Sequence, residues 1–139
     1  MKKALGIDLG DARIGVAASD DLGMLAHPLE TIPATKGDPI ARILELAASR
    51  GVAAIVIGMP RNMDGTYGPS AQKVRDFISQ IQKNILLPIT PIDERLTTAQ
   101  ASKQLAGIGL SQKQLRKKVD SSSACLILQQ YLDRSTPLI

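Results

Sequence analysis

The chain has 139 residues, of which 44% are hydrophobic and 22% are charged, and its formal net charge is +4 at pH 7. This length and composition fit a globular domain with a sizeable core, and they exclude a fibrous or intrinsically disordered chain. Aromatic residues make up only 2% of the sequence, which argues against a platform of stacked rings for single-stranded bases. A nucleic-acid partner, which the basic balance allows, would therefore be held mainly by its phosphates.

The cysteine content and the lack of long apolar segments bear on the compartment. Cys125 is the only cysteine of the chain, so it cannot form an internal disulfide, and a reducing compartment fits. No apolar run is long enough to cross a membrane. Asp8 and Asp11 interrupt the apolar stretch that would have to follow the basic start of a signal peptide. We expect a cytoplasmic protein with no membrane partner.

The first third of the chain carries the signals of antiparallel strands. Short apolar runs cover residues 3–9, 13–19 and about 24–32. Gly-Asp-Ala and Asp-Asp-Leu-Gly turns separate them, and these are strong turn signals. The pattern predicts a three-stranded meander.

The rest of the chain alternates between helical and strand patterns. It predicts, in order, a helix between Pro39 and Gly51, a strand over 52–58, a helix from Pro69, a strand over 88–93, and helices over 97–105 and about 120–132. The run over 52–58 is continuously apolar, as in strands covered on both faces, whereas the prolines of 88–93 favour a strand start or an edge. We predict a single α/β domain over residues 1–139. It has a mixed five-stranded sheet, the meander plus parallel strands, with helices on both faces.

Asp8 is an acidic residue inside the first apolar strand. Asp is depleted in strands, and a buried carboxylate needs a cation or hydrogen-bond donors. Three interpretations compete: a turn aspartate, a metal ligand of a nuclease, and the phosphate-loop aspartate of an ATPase or sugar kinase. The chain is too short for the paired lobes of such a kinase, and Asp11 and Ala12 replace the hydroxyl-rich turn that a kinase needs.

Glu94 and Asp120 are acidic residues at the ends of predicted elements. Ligands collect at the edges of parallel sheets, and converging carboxylates repel one another unless a divalent cation joins them. Together with the strand aspartate, they predict a Mg²⁺ or Mn²⁺ site, and paired metals of this kind hydrolyse phosphodiesters. Simpler roles remain open: Asp120 can cap the last helix, and Glu94 can pair with Arg95.

Basic residues precede Asp120 in a cluster that could contact a nucleic-acid backbone. The cluster comprises Lys113, Arg116, Lys117 and Lys118. A charge run is usually a solvated face, but this one adjoins the predicted acidic site. Arg61 and Asn62, in the loop after the strand over 52–58, are further candidates for phosphate contacts. The simpler interpretation of that loop is a long turn.

Four motifs resemble the YqgF, or RuvX, family: GIDLGDARIGVA, VIGMPRNMDGTYGPSAQKVRDF, PIDERLTTAQA and KKVDSSSACLILQQYLD. They occur in the expected order and span nearly the whole chain. The resemblance implies an RNase H-like fold related to the RuvC Holliday junction resolvases. It also implies catalytic metal ligands at Asp8, Glu94 and Asp120. A stretch of three serines after Asp120 departs from the more alanine-rich run of the family.

The same resemblance implies a function and further site residues. Arg13, Arg61 and Arg95 lie in the matched motifs and are candidates for contacts to the scissile phosphate or the nearby backbone. The family is described as a candidate nuclease that helps mature the 5′ end of 16S rRNA in bacteria, and earlier as a resolvase. We therefore expect a metal-dependent nuclease acting on structured RNA of the small-subunit precursor.

Two alternatives stay open: a resolvase of branched DNA, and a non-catalytic module that binds RNA or junctions during ribosome assembly. A resolvase needs a twofold dimer to cut two symmetry-related strands, whereas rRNA trimming does not. The sequence is therefore compatible with a monomer or a homodimer.

Overall fold

The computed structural model describes residues 3–60, 67–93 and 123–133. The strands are β1 (Ala4–Leu9), β2 (Arg13–Ser19), β3 (Ala26–Pro33), β4 (Ala54–Met59) and β5 (Ile89–Asp93), and the helices are α1 (Pro39–Arg50), α2 (Pro69–Gln82) and α3 (residues 123–133). The strands form one five-stranded sheet in the order β3-β2-β1-β4-β5. The helix predicted over 97–105 and the beginning of the last helix lie outside the described residues.

The sheet is mixed, as predicted. β1 to β3 form the antiparallel meander, and β4 and β5 extend it in parallel with β1. All residues of β4 are buried, which confirms the prediction from its continuous apolar run, although the middle position of the sheet belongs to β1. Pro91 lies in β5, at an edge of the described sheet, where a missing N–H group is tolerated.

Local sequence signals set the ends of α1. The Asp38 carboxylate accepts a hydrogen bond from the Ala41 N–H at 3.1 Å, and Pro39 follows as the first helical residue. At the other end Gly51 adopts a left-handed conformation with φ of 61°. Both ends are typical of α-helix caps, because the side chain satisfies a free N–H and only glycine enters this conformation without strain.

The sheet separates two hydrophobic cores. Ile7 and Ile57 belong to the core that α1 and α2 cover. Val56 and Ile92 belong to the core under α3. Because side chains alternate along a strand, each strand contributes to both cores. Helices on both faces of the sheet were predicted, and this arrangement confirms them.

Contacts with β1 and β3 hold α3 against the sheet. A Cβ added to Gly6 would lie 2.6 Å from Leu128 Cβ and 2.8 Å from the Ala124 carbonyl oxygen, so the helix backbone rests directly on β1. Further along, the Gln129 Oε1 atom accepts a hydrogen bond from the N–H of Ala26, the first residue of β3, at 2.9 Å. α3 therefore packs on the face of the sheet that carries Gly6, with Gln129 bound to the start of β3.

No helix in the described part of the chain is both long enough and apolar enough to cross a lipid bilayer.

Candidate functional site

Asp8 lies near the carboxyl end of β1 and is half-buried. Its partner on β2 is Gly15. On the other side of β1, Ile7 pairs with Ile57 of β4, so Gly58 is the residue of β4 that lies beside Asp8. Neither neighbouring strand therefore places a side chain beside the Asp8 carboxylate. Neither glycine was identified from the sequence as part of the site, although a glycine inside a strand is a signal of close approach by another group.

Asp8 and Arg13 lie on the same face of the sheet. Asp8 is two residues after Gly6, which α3 covers, so Asp8 belongs to the α3 face. Arg13 is half-buried and two residues before Gly15. It therefore occupies the diagonal position next to Asp8, and diagonal neighbours of this kind are about 7–8 Å apart. The structure thus brings together a predicted metal ligand and a predicted phosphate contact.

Asp93 belongs to the opposite face. It pairs with Met59 of β4, and Met59 contributes to the core under α1 and α2. The Asp93 side chain is exposed. Although Asp93 precedes Glu94 directly, it does not share the face of Asp8, and sequence alone could not make this distinction.

Asp11 has a different partner from Asp8. Its carboxylate forms an ion pair with Lys73 of α2, with 2.8 Å between Oδ1 and Nζ. The hydrogen bond and the charge of Lys73 hold the pKa of Asp11 below its usual value. The side chain of Asp11 is almost fully exposed. Asp11 therefore joins the β1–β2 turn to α2, on the side of the sheet away from α3.

The β1–β2 turn itself depends on Gly10. The Gly10 N–H donates to the Arg13 carbonyl oxygen at 2.9 Å. A Cβ at Gly10 would lie 2.5 Å from the same oxygen, which no other residue type tolerates without a shift of the backbone. Gly10, the glycine of the predicted Gly-Asp-Ala turn, therefore sets the position at which β2 begins with Arg13.

The other predicted site residues lie outside the described residues. They are Glu94 and Asp120, with Arg61, Asn62, Arg95, Lys113, Arg116, Lys117 and Lys118. Within residues 3–60, 67–93 and 123–133, no three His, Cys, Asp or Glu side chains converge on a common metal position. The chemistry of Asp8 fits a Mg²⁺ or Mn²⁺ ligand, since these cations prefer carboxylate oxygen.

Comparison with known sequences gives a consistent result over nearly the whole chain. Residues 2–134 match a family model described as "RuvX: Holliday junction resolvase". A protein of Pelotomaculum thermopropionicum is 44% identical over 134 residues, covering 94% of this chain and 86% of the relative. A protein of Geobacillus kaustophilus is 41% identical and covers 94% and 97%. Both carry the name "Putative pre-16S rRNA nuclease".

Solved structures show the same fold. RuvC of T. thermophilus in complex with a Holliday junction has a TM-score of 0.58 at 15% identity, covering 95% of this chain and 94% of that one. The Fowlpox virus resolvase in complex with Holliday junction DNA has a TM-score of 0.57 at 11% identity, covering 97% and 99%. These neighbours confirm the predicted RNase H-like fold. The family model and the two sequence relatives together establish that this chain belongs to the RuvX family.

Proposed function

We propose that this protein is a divalent-metal-dependent nuclease that hydrolyses phosphodiester bonds in structured RNA, and that it processes the 5′ end of precursor 16S rRNA. The observation that carries the proposal is that Asp8 and Arg13 lie on the same face at the same end of the sheet. Asp8 is near the carboxyl end of β1, the middle strand, and Arg13 is the first residue of β2. A carboxylate suits a metal ion and a guanidinium suits a phosphate. The names of the relatives support RNA of the small ribosomal subunit as the substrate.

We propose Glu94 and Asp120 as the ligands that hold Mg²⁺ or Mn²⁺ together with Asp8. Asp93 lies on the α2 face, away from Asp8, which argues against Asp93 as the ligand in place of Glu94. Asp120 precedes the described part of α3 by three residues, and α3 packs on the same face of the sheet as Asp8. When bound, such a metal lowers the pKa of water and offsets the negative charge of the phosphate.

The basic residues bind and orient the substrate strand in this proposal. Arg13 donates hydrogen bonds to the oxygens of the phosphate beside Asp8, and a guanidinium does this in a bidentate geometry. The remaining contacts to the backbone come from Arg61, Asn62, Arg95, Lys113, Arg116, Lys117 and Lys118. The glycines beside Asp8, Gly15 and Gly58, favour this arrangement because they add no side chain where the phosphate approaches.

A second candidate function is resolution of Holliday junctions by a dimer of this chain. The description of the family model, matched over residues 2–134, favours it. Its geometry differs from rRNA processing, because symmetric cleavage of a junction needs two active sites related by a twofold axis. A precursor rRNA fragment and a four-way DNA junction therefore distinguish the two functions.

The test compares cleavage of these two substrates by the purified protein in Mg²⁺ or Mn²⁺. We expect Asp8→Asn to lower the cleavage rate by at least about a hundredfold, since even the outer-sphere partners of metal ligands contribute about 10- to 100-fold. Asp11→Asn is the matched control, and its activity should stay unchanged because Asp11 pairs with Lys73 on the other side of the sheet. Melting temperatures show whether both variants are folded.

Full activity of Asp8→Asn would contradict the assignment of the site. Efficient cleavage of the junction alone would favour the resolvase. Tight binding of either substrate without cleavage, unchanged by neutralising Asp8, would instead indicate a binding module.

A further inference from the structure

Polar side chains line a pocket at the end of the sheet away from Asp8. Lys3 directly precedes β1, Ser19 is the last residue of β2 and Arg50 is the last residue of α1. The cavity has a volume of about 270 Å³, which leaves room for a group of the size of phosphate. Its lining consists of Lys3, Ser19, Asp21, Ser49, Arg50 and Val52. Among these residues, none was predicted from the sequence as a site residue.

Arg50 carries a positive charge without a partner among the described residues. Its side chain forms neither a hydrogen bond nor an ion pair with any of them. The last turn of α1 does not need this side chain as a cap, because backbone N–H groups of the following loop already donate to the carbonyl oxygens of Ala47 and Ala48 at 3.2 Å. A guanidinium has five N–H donors and always carries its charge. These donors are therefore available to a ligand in the pocket.

Lys3 adds a second positive charge to the pocket, and Asp21 offsets part of the total. The Lys3 ammonium forms an ion pair with the Asp21 carboxylate, with 3.3 Å between Nζ and Oδ1. An ammonium has three N–H donors, so a single ion pair leaves donors for another acceptor. The Asp21 side chain is 94% exposed, and solvent therefore screens its charge. Two cationic side chains and one carboxylate give the described lining a formal net charge of +1.

Ser19 contributes a buried hydroxyl group to the lining of the same pocket. It is only 6% exposed, and its Oγ accepts a hydrogen bond from the Ala4 N–H at 2.9 Å. A serine hydroxyl also has one hydrogen to donate, for which the described part of the chain supplies no acceptor. Burying a donor without an acceptor costs free energy. An anion in the pocket would accept this hydrogen bond, whereas a cation would not.

We propose that this pocket is a phosphate-binding site. The Arg50 guanidinium and the Lys3 ammonium donate to the phosphate oxygens through charge-assisted hydrogen bonds, which are stronger than neutral ones. The Ser19 hydroxyl donates a further hydrogen bond. The phosphate belongs either to a nucleic-acid backbone or to a free phosphate ion, since both present such oxygens. It is not the phosphate beside Asp8, because the extended chain from Lys3 to Asp8 spans about 17 Å.

The experiment has two arms, one for each source of phosphate. In the first arm, inorganic phosphate is titrated into the ¹⁵N-labelled protein at constant ionic strength, and NMR follows the Arg50 Nε–H signal and the backbone amides of Lys3 and Ser19. In the second arm, fluorescence anisotropy measures binding of an RNA hairpin at several KCl concentrations. Neither arm measures cleavage, so the result does not depend on the nuclease function proposed above.

Wild-type protein is compared with two variants of the pocket and one matched control in both arms. Arg50→Gln removes the unpartnered cation, and Asp21→Asn removes the carboxylate. The control is Lys83→Gln, which removes an exposed cation at the C-terminal end of α2, outside the lining of the pocket. Melting temperatures show whether the variants are folded.

We expect saturable shifts of the followed signals on addition of phosphate. The dissociation constant should be about tenfold larger in Arg50→Gln, which corresponds to the loss of one hydrogen bond between charged groups. Asp21→Asn should tighten binding about fivefold, because it removes one nearby like charge from the surroundings of the anion. Lys83→Gln should bind phosphate like wild type. If the pocket holds a nucleic-acid backbone, Arg50→Gln should also reduce the magnitude of the salt slope of the hairpin by about 0.7–0.9.

The two arms assign the source of the phosphate. Weaker hairpin binding by Arg50→Gln identifies a nucleic-acid backbone, and an effect on inorganic phosphate alone identifies a free phosphate ion. The proposal is overturned if folded Arg50→Gln matches wild type in both arms. It is equally overturned if Lys83→Gln changes binding as much as Arg50→Gln does, since binding then follows the overall charge of the protein.

Discussion

At the scale of single residues, two aspartates three positions apart have different environments. Asp8 lies on the α3 face between two glycine positions of the neighbouring strands. Asp11 is exposed and is engaged by Lys73. Both are acidic residues near the same turn, so residue type does not distinguish them. Their neighbours do, because Asp11 forms an ion pair with Lys73 of α2 whereas Asp8 lies diagonal to Arg13 on the α3 face.

The free cysteine provides a prediction at the same scale. Burial raises the pKa of the Cys125 thiol to about 11. The thiolate is the reactive form, so at pH 8 its fraction should be roughly a hundredfold lower than that of an unshifted thiol. We expect a disulfide reagent such as Ellman's reagent to modify the folded protein slowly and the protein in guanidinium chloride rapidly. Equal rates in both conditions would contradict the burial of this thiol.

At the scale of elements, the contact between β1 and α3 depends on the absence of a side chain at Gly6. A Cβ there would meet both the Leu128 Cβ and the Ala124 carbonyl oxygen at less than 3 Å. Neither is the flexible end of a side chain, so the helix must move to admit a methyl group. The same helix carries Cys125, whose reactivity therefore reports on the docking of α3.

We predict that Gly6→Ala lowers the free energy of unfolding by about 1–3 kcal/mol, as overpacked substitutions do, and that it accelerates modification of Cys125. The matched control is Gly37→Ala, where nothing lies within 4 Å of an added Cβ. Gly37→Ala should lower the free energy of unfolding only through the left-handed backbone conformation at this position. The reactivity of Cys125 should stay unchanged. Chemical denaturation and thiol kinetics measure both effects. Wild-type stability of Gly6→Ala would contradict the close contact.

An ion pair joins β3 to α1. The Glu30 carboxylate accepts two hydrogen bonds from the Arg42 guanidinium, at 2.8 Å and 3.0 Å. These bonds hold the pKa of Glu30 below its usual value of 4.5. A carboxyl group whose pKa is lowered in the folded state adds stability above the pKa of the unfolded state. This contribution is lost as the pH falls through the lowered pKa.

We therefore predict that Glu30→Gln lowers the free energy of unfolding by about 0.5–1 kcal/mol at neutral pH, the upper range for partly exposed pairs. The difference from wild type should decrease below pH 4.5 and vanish once Glu30 is protonated in the folded protein. In an Arg42→Gln background the same substitution should have little effect at any pH. Urea denaturation at a series of pH values measures the difference, and a loss that is independent of pH would contradict the ion-pair origin.

At the scale of the whole molecule, local sequence signals predict the helices and strands, but they predict the candidate site only in part. Pro39 and Gly51 mark the ends of α1 because capping is local, and the continuous apolar run of β4 indicates burial on both faces. Strand register is not local. The pairing of Met59 with Asp93 sets the face that Asp93 occupies, and for this reason the sequence alone could not tell whether Asp93 shares the role predicted for Glu94.

Long-range side-chain contacts are the other part that the sequence could not predict. Lys73 and Asp11 are 62 residues apart. Tyr67 and Arg75 line a pocket together with residues at the ends of β4 and β5. Such contacts depend on how elements pack and leave no periodic signal. By contrast, the motif around Asp8 was found because an acidic residue inside an apolar strand departs from the local pattern.

Binding of a polyanion by the whole molecule should depend on salt. The chain carries a net charge of +4, and its predicted backbone contacts include Lys113, Lys117 and Lys118. Neutralised phosphates release counterions, so the logarithm of the binding constant falls linearly with the logarithm of the salt concentration.

We predict that each of Lys113→Gln, Lys117→Gln and Lys118→Gln reduces the magnitude of the salt slope by about 0.9 on duplex DNA arms and about 0.7 on single strands. Lys83→Gln is the control. Lys83 is an exposed residue at the C-terminal end of α2, and its substitution should leave the slope unchanged. Anisotropy titrations of a fluorescent hairpin at several KCl concentrations give the slopes. If Lys83→Gln and the other three variants change the slope equally, binding depends on overall charge and not on a localised basic surface.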